Sequence, residues 1–261
     1  MTTSGETLIT INKKTSTMNN NATLEKMKKM RLNGMYRAFE STFSAGNTQH
    51  YTADQLVTYL IESEWDERQN SRTVRLIRNA RFRYQAVMEE IDFNPQRMLD
   101  KDMLLRLADC SFIGKGENAI ITGSTGVGKS YIATALGYQA CMKGYKVMYI
   151  NTGKLFTRLG ISKADETYLK ELAKIEKQDL LILDDFGLQP IDQQKQLMLL
   201  DIMEDRQIGK STIISTQIPV SVWYELFEEK TIADAILDRI VHSAHRIEIK
   251  GESMRKRKNK Q

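Results

Sequence analysis

Apolar positions along the chain recur with two periods and sort it into two parts. Up to about residue 110 the spacing is helical. Leu24, Met27, Met30, Met35, Phe39 and Phe43 predict one helix, opened by Thr23 as N-cap and broken at Gly46-Asn47. Thr52-Ala53-Asp54-Gln55 has the capping-box pattern, a hydroxyl at N-cap and an amide three residues on. It opens a long predicted helix through Leu56, Leu60 and Trp65 towards Tyr84. On that helix Arg68, Arg72, Arg75 and Arg83 share one side, and Val74, Ile77, Ala80 and Tyr84 the other. An apolar face is expected inward and an arginine face outward. A third helix is expected over 100–109, after Pro95, and 112–116 reads as a link.

Beyond residue 117 short apolar runs alternate with helical stretches. Strands are expected at 118–122, 146–150, 179–185, 211–216 and 246–249. Helices are expected at 131–142, 153–159, 168–177, 193–207 and 231–241, with a short one after Pro219 anchored by Trp223 and Phe227. The four aliphatics Leu180 to Leu183 suit a parallel strand buried on both faces. The chain is therefore expected to divide into a tail (1–22), a helical domain (23–110), a nucleotide domain (111–250) and a basic tail (251–261).

Between the first of these strands and its helix stands Gly123-Ser124-Thr125-Gly126-Val127-Gly128-Lys129-Ser130, a full match to the phosphate-loop pattern G-x-x-x-x-G-K-[ST]. Glycines let the backbone turn until its N–H groups converge on phosphate oxygens. Lys129 reaches the β- and γ-phosphates, and the Ser130 hydroxyl ligates Mg²⁺. ATP and Mg²⁺ are the expected ligands. Asp184, at the end of the aliphatic run, stands where a carboxylate holds the Mg²⁺ shell, and Asp185 where one orients the attacking water. Gln217, just past the fourth strand, is placed to sense the γ-phosphate; a polar strand end facing solvent is the plainer alternative. His242 and His245 lack a third ligand and read as structural rather than metal-binding.

Charge adds location more than size. Lys250, Arg255, Lys256, Arg257, Lys258 and Lys260 face only Glu252 in the last twelve residues, which accounts for the whole net charge of +5. Such a tail fits contact with nucleic acid, or it is a solvated terminus. The same pair of readings holds for Arg68, Arg72 and Arg75: contacts to DNA phosphates or an acidic partner, or a solvated face paired with Glu62, Glu64, Asp66 and Glu67. Cys110 and Cys141 are isolated and imply neither a disulfide framework nor a metal site, as expected in a reducing cytoplasm. No run of about 18 apolar residues is present, so no membrane span is expected.

The run LLILDDFG at 180–187, then Gln189-Pro190, ISTQIPV, Trp223 and ADAILDRIVHSAHRIEIKGES resemble the IstB family, helper ATPases of insertion-sequence transposition. These are AAA+ proteins of the initiator and helicase-loader branch, similar to DnaC. KMRLNGM at 29–35 is similar to the start of the family's N-terminal domain. The resemblance implies an α/β fold, a P-loop NTPase with a five-stranded parallel sheet and helices on both faces, behind a small all-helical domain; as a departure from many AAA+ proteins, no C-terminal helical lid is expected after Arg255. It implies that Arg239 completes the ATP site of a neighbouring subunit; a salt bridge to Asp234 or Asp238 is the alternative. It also implies that the 153–177 insertion faces DNA through Lys154, Arg158 and Lys163, and that Arg255 is a candidate second sensor. The implied function is an ATPase that assembles as a homo-oligomer on duplex DNA, bends it and activates the partner transposase. A replicative helicase loader and a nucleotide-dependent scaffold in which hydrolysis is incidental are the alternatives.

Overall fold

The structure, a computed structural model, describes residues 20–44 and 51–254. Where the apolar spacing predicts one helix from 24 to 43 there are two, α1 over residues 20–29 and α2 (Asn33–Ser44). Arg31 adopts a left-handed φ of 58°. Its N–H donates to the Lys28 carbonyl at 3.0 Å, and the Leu32 N–H donates to the Met27 carbonyl at 2.9 Å. This bond pair is a Schellman stop. Glycine usually marks one, and here arginine fills the position without any signal in the sequence.

The capping box opens α3 (Ala53–Ala80) as expected: Thr52 N–H donates to Gln55 Oε1 at 3.0 Å, and Gln55 N–H to Thr52 Oγ1 at 3.2 Å. α2 and α3 approach closely at Gly34, where a Cβ would run into the Ser63 carbonyl oxygen. The buried Glu64 carboxylate caps α2, accepting from Gly34 N–H at 2.8 Å and Met35 N–H at 3.3 Å, and Arg68 Nε donates to it at 2.7 Å. Burial pushes this carboxyl up. The bonds from Arg68, Met35 and Gly34 outweigh it and hold the group below the usual carboxylate range. Gly34→Ala is expected to cost about 1–3 kcal/mol. The readout is faster amide exchange across α2 in the full chain; unchanged exchange would mean the helices absorb the methyl group.

The chain divides into two compact units at residues 74/75, inside α3, and not at residue 110. Residues 75–110 share their core with the sheet. Ala80, Ala86, Ile91, Leu104, Leu107 and Cys110 form one core with Ala119 and Ile121 of the first strand. α3 stops at Ala80, before the expected Tyr84, and Arg81 turns left-handed at φ 56°. Arg83 therefore falls off the predicted arginine face, and Val74 is exposed where an inward position was predicted. α4 (Lys101–Ala108) is capped by Asp100, which accepts from Met103 N–H at 2.9 Å. The expected link at 112–116 is a helical turn, α5 (Ser111–Lys115), with Phe112 and Ile113 buried.

Five strands follow: β1 (Asn118–Gly123), β2 (Val147–Asn151), β3 (Leu180–Phe186), β4 (Ser211–Thr216) and β5 (Ala244–Ile249). They form one parallel sheet of order β2-β3-β4-β1-β5. Side chains alternate along each strand, so Ile121, Ile182 and Ile213 enter the same layer as α4, α5 and α6 (Lys129–Met142). Ile120, Leu181, Leu183 and Ile214 enter the other, under α7 (Thr152–Ala164), α8 (Tyr168–Glu176), α9 (Gln193–Asp205) and α10 (Lys230–Val241). Trp223 is fully buried in that second layer, as its spacing predicts. The expected α/β sheet with helices on both faces is present.

Three buried groups are structural. The Arg206 guanidinium donates to the carbonyls of Ile175 (3.0 Å), Gln178 (2.9 Å) and Ser211 (2.6 Å), pinning the end of α8 to the start of β4. Burial pulls it down to about 10, still charged at neutral pH. Burial pushes the Cys110 thiol up to about 11 and Cys141 up to about 12; both are free thiols.

Candidate nucleotide-binding site

In an open parallel sheet the carboxyl ends of the strands form the ligand crevice where connections diverge. The chain leaves β1 across β4 and β3 to reach β2, and later returns to β5 on the other side. The phosphate loop follows β1, Asn151 ends β2, Asp184 and Asp185 lie near the end of β3, and Gln217 follows β4. Among the described residues, one end of the sheet thus gathers all the chemistry predicted for the nucleotide, except Arg239.

The loop itself is held from outside. Gly126 and Gly128 have φ of 85° and 104°, which favour glycine. A Cβ on Gly126 would strike the Ser253 side chain, and one on Gly128 would come within 2.9 Å of the Arg97 guanidinium. Met254 N–H donates to the Gly126 carbonyl at 2.9 Å, and buried Arg97 Nη2 donates to the Val127 carbonyl at 2.6 Å. Lys250 N–H in turn donates to the Arg97 carbonyl at 3.0 Å. Two distant segments therefore brace the cradle while its N–H groups remain directed by the start of α6. Lys129 is buried, with Nζ donating to the Ser124 carbonyl at 2.9 Å across the loop.

Ser130 Oγ donates to Asp184 Oδ1 at 2.8 Å. A hydroxyl and a carboxylate converging at a helix start form the oxygen set that Mg²⁺ prefers. Asp184 also accepts from the Tyr149 hydroxyl on β2, and its own carbonyl accepts from Thr152 Oγ1 at 2.9 Å. Burial, followed by that bond to Asp184, holds the Tyr149 phenol far above its ordinary range, so it remains a donor. Asp185 adopts φ 57°, and the register of β3 against β4 shifts between Leu183 and Phe186. This bulge breaks the alternation that would send two consecutive acids to opposite faces. Both acids line the same cleft. Asn151 Nδ2 donates to Asp185 Oδ2 at 2.9 Å, and Gln217 Oε1 accepts from Thr125 Oγ1 on the loop.

Arg239 lies elsewhere. Asn118 Nδ2 at the start of β1 donates to the Arg239 carbonyl at 3.0 Å. The length of β1, about 16 Å for its rises, separates that end from the phosphate loop. The guanidinium donates to the Ala235 carbonyl at 2.7 Å and pairs with Glu204 of α9 at 3.3 Å, and with neither Asp234 nor Asp238. Arg158 pairs with Glu171, Lys163 covers the Tyr168 ring at 4.6 Å, and Lys154 is exposed on the first turn of α7. Arg68 takes the paired reading through Glu64; Arg72 and Arg75 are exposed. His245 faces Glu117 at 2.8 Å, and among the described residues no group of three His, Cys, Asp or Glu could hold a metal. Arg255 and the rest of the basic tail lie outside the described residues.

Sequence reasoning missed Tyr149, Asn151, Arg97 and the 250–254 strap. Asn151 had a signal, because β2 runs in parallel register with β3 and pairs Asn151 with Asp184. Tyr149 reads as one more apolar strand residue. Arg97 carries no signal at all, since its role is a contact thirty residues away.

Residues 25–261 match the family described as IstB-like ATP binding protein. The insertion sequence ATP-binding protein y4pL of Sinorhizobium fredii is 40% identical over 234 residues, covering 90% of this chain and 96% of the relative. The ATP-binding protein of insertion sequence IS1162 from Pseudomonas fluorescens is 35% identical, covering 76% and 87%. Among solved structures, DnaI is similar at a TM-score of 0.52 and 26% identity, covering 67% of this chain and 93% of that one. AMPPCP-bound DnaA from Aquifex aeolicus shares the fold at a TM-score of 0.55 and 18% identity, covering 67% and 53%. A complete phosphate loop at the crevice of this sheet and a family match over nearly the whole chain agree: the chain belongs to the IstB-like ATP-binding proteins.

Proposed function

We propose that the chain is a transposition helper ATPase whose active site is completed by a second copy. It assembles with ATP on duplex DNA, bends it and engages the transposase of its own insertion element, and hydrolysis resets the assembly. The observation that carries this reading is the separation of charges: Lys129, Asp184 and Asp185 stand at one end of the sheet and Arg239 at the other. Arg239 cannot reach its own loop, but it can reach one on a neighbour packed head to tail. There it stabilises charge developing on the γ-phosphoryl oxygens.

Within the site Lys129 binds the β- and γ-phosphates in place of the Ser124 carbonyl, and Asp185 orients the attacking water and accepts its proton. Ser130 and Asp184 hold Mg²⁺, which would neutralise phosphate charge when bound. Gln217, tied to Thr125, reports on the γ-phosphate. The N-terminal unit supplies the partner surface: Val57, Ile61 and Trp65, each four residues on along α3, are 55%, 54% and 64% exposed. An apolar stripe of that kind on a soluble helix marks a docking face. Lys154 and Arg75 offer exposed charges to DNA, while Arg158 and Arg68 must leave Glu171 and Glu64 to do so.

Mixing tests the shared site. Arg239→Ala and Lys129→Ala are each expected to be inactive alone in DNA-stimulated ATP hydrolysis. Their mixture should recover a fraction of wild-type turnover, because some joints pair an intact loop with an intact arginine. Glu204→Ala removes the salt bridge and should retain turnover. Full activity of Arg239→Ala, or no recovery on mixing, would sink the shared-site reading. Preference for a replicative helicase over a transposase in a pull-down would favour a loader instead.

A further inference from the structure

Asp184 on β3 is the most buried carboxylate among the described residues, 1% exposed against 7% for Glu64. Hydroxyl groups hold both of its oxygens. Ser130 Oγ donates to Oδ1 at 2.8 Å, and the Tyr149 hydroxyl donates to Oδ2. Both donors are neutral, so neither cancels the carboxylate's charge. One comes from the first turn of α6 and the other from the edge strand β2. β2 and β3 pair in parallel register, Tyr149 with Ile182 and Asn151 with Asp184. Side chains alternate along a strand, so Tyr149, Ile182 and Asp184 share one face of the sheet. The hydroxyl therefore has two rises to cover along the strand, about 7 Å. A phenol spans that; a serine or threonine at the same position would not.

A plainer account makes Tyr149 a core residue whose hydroxyl happens to find a partner. The ring does belong to the core. It packs edge-on against Phe82, with centroids 6.3 Å apart at 65°, in the layer that holds Ile182. Phenylalanine would fill that place as well and bring no polar atom to satisfy. The hydroxyl is what packing leaves unexplained, and its bond goes to the carboxylate assigned to Mg²⁺. The last torsion of an aspartate is broad and roughly two-fold. One bond at Oδ1 leaves the carboxylate plane free to swing. A second bond at Oδ2, from a ring fixed by its packing, removes that freedom. The Ser130 side of the pair is framed in a similar way. The Tyr84 hydroxyl faces Ser130 and Thr134, and its ring stacks on Tyr131 at 6.1 Å. Thr134 Oγ1 donates to the Ser130 carbonyl at 2.7 Å.

We propose that Tyr149 is a positioning residue for Mg²⁺: its hydroxyl fixes the plane of the Asp184 carboxylate, so that Oδ1 and the Ser130 hydroxyl are presented to the cation together. The proposal rests on the reading of Ser130 and Asp184 as the Mg²⁺ side of the nucleotide site. Tyr149 acts through Asp184 and is not itself a ligand. A carboxylate fixed in advance loses less freedom on ligation. Hydrogen-bond partners of metal ligands typically change metal affinity by about 10–100-fold when removed.

The test is the affinity of the full chain for a fluorescent, non-hydrolysable ATP analogue, measured in excess EDTA and again in saturating Mg²⁺. The ratio of the two affinities reports the coupling of metal to nucleotide and needs no turnover. Tyr149→Phe should keep the wild-type affinity in EDTA, whereas the ratio should fall about 10–100-fold, with one as its floor. Phe82→Leu is the packing control. It should lower the melting temperature and leave the ratio at the wild-type value, because the hydroxyl and both bonds on Asp184 remain. Equal losses in EDTA and in Mg²⁺ for Tyr149→Phe would make the residue a structural one and overturn the proposal. An unchanged ratio, or the same fall with Phe82→Leu, would overturn it too. The underlying Mg²⁺ reading is judged separately, by the wild-type chain and Asp184→Asn. A wild-type ratio of one, or a ratio that Asp184→Asn leaves intact, removes that reading and the tether's role with it.

Discussion

Lys129→Ala is expected to weaken ATP binding by about 10²-fold, the scale for truncating one partner of a buried, hydrogen-bonded charge pair. In the folded chain this ammonium is already withdrawn from water, and it spans the loop to the Ser124 carbonyl. Much of the desolvation therefore precedes nucleotide binding, and a phosphate oxygen exchanges for a carbonyl one. Removing the amine should not collapse the loop. Arg97 still holds the Val127 carbonyl and Met254 the Gly126 carbonyl. A thermal melt like that of the wild-type chain, with a large loss in a fluorescent-ATP titration, is the expected pairing. Affinity within threefold of wild type would show that the loop amides alone bind the triphosphate.

Asp185→Asn should have the opposite signature: ATP affinity kept, turnover lower by about 10²–10⁴-fold, the usual contribution of a positioned general base. Asparagine has nearly the same shape, and it tolerates the left-handed φ of 57° better than most residues. Backbone strain is thus not a confounding effect. Asn151 can still bond to the side-chain oxygen at this position. What disappears is the capacity to take a proton from water. Single-turnover hydrolysis under saturating ATP measures it directly. Turnover within threefold of the wild-type chain would transfer the role to another group.

Much of the nucleotide unit was legible because its signals are local. β4 runs over the predicted 211–216, and the phosphate loop, its strand and its helix stand in the predicted order. The helical region was read less well, and the reasons differ by residue. Arg31 and Arg81 end helices at left-handed positions where glycine would have announced the stop. Residues 75–110 carry helical periodicity, but periodicity does not say which core a helix joins. Leu104 and Leu107 join the core under the sheet. At the site, residue types that define a motif were found, whereas the residues that hold the motif were not. Arg97, Tyr149 and the strap at 250–254 act through contacts between segments far apart in sequence. Asp185 was found by its position after four aliphatics, yet the bulge that places it beside Asp184 has no pattern to betray it.

The pairing of β1 also sets a timetable. Both its neighbours come late: β4 begins at Ser211 and β5 at Ala244, and the strap that reaches Gly126 ends at Met254. Long-range parallel pairing is slow to form, and chains leave the ribosome at only about 5–20 residues per second. For several seconds after the phosphate loop has been translated, the strand that carries it has no partners on either side. The loop of a nascent chain therefore cannot be braced as it is in the folded chain until residues through Met254 have been made.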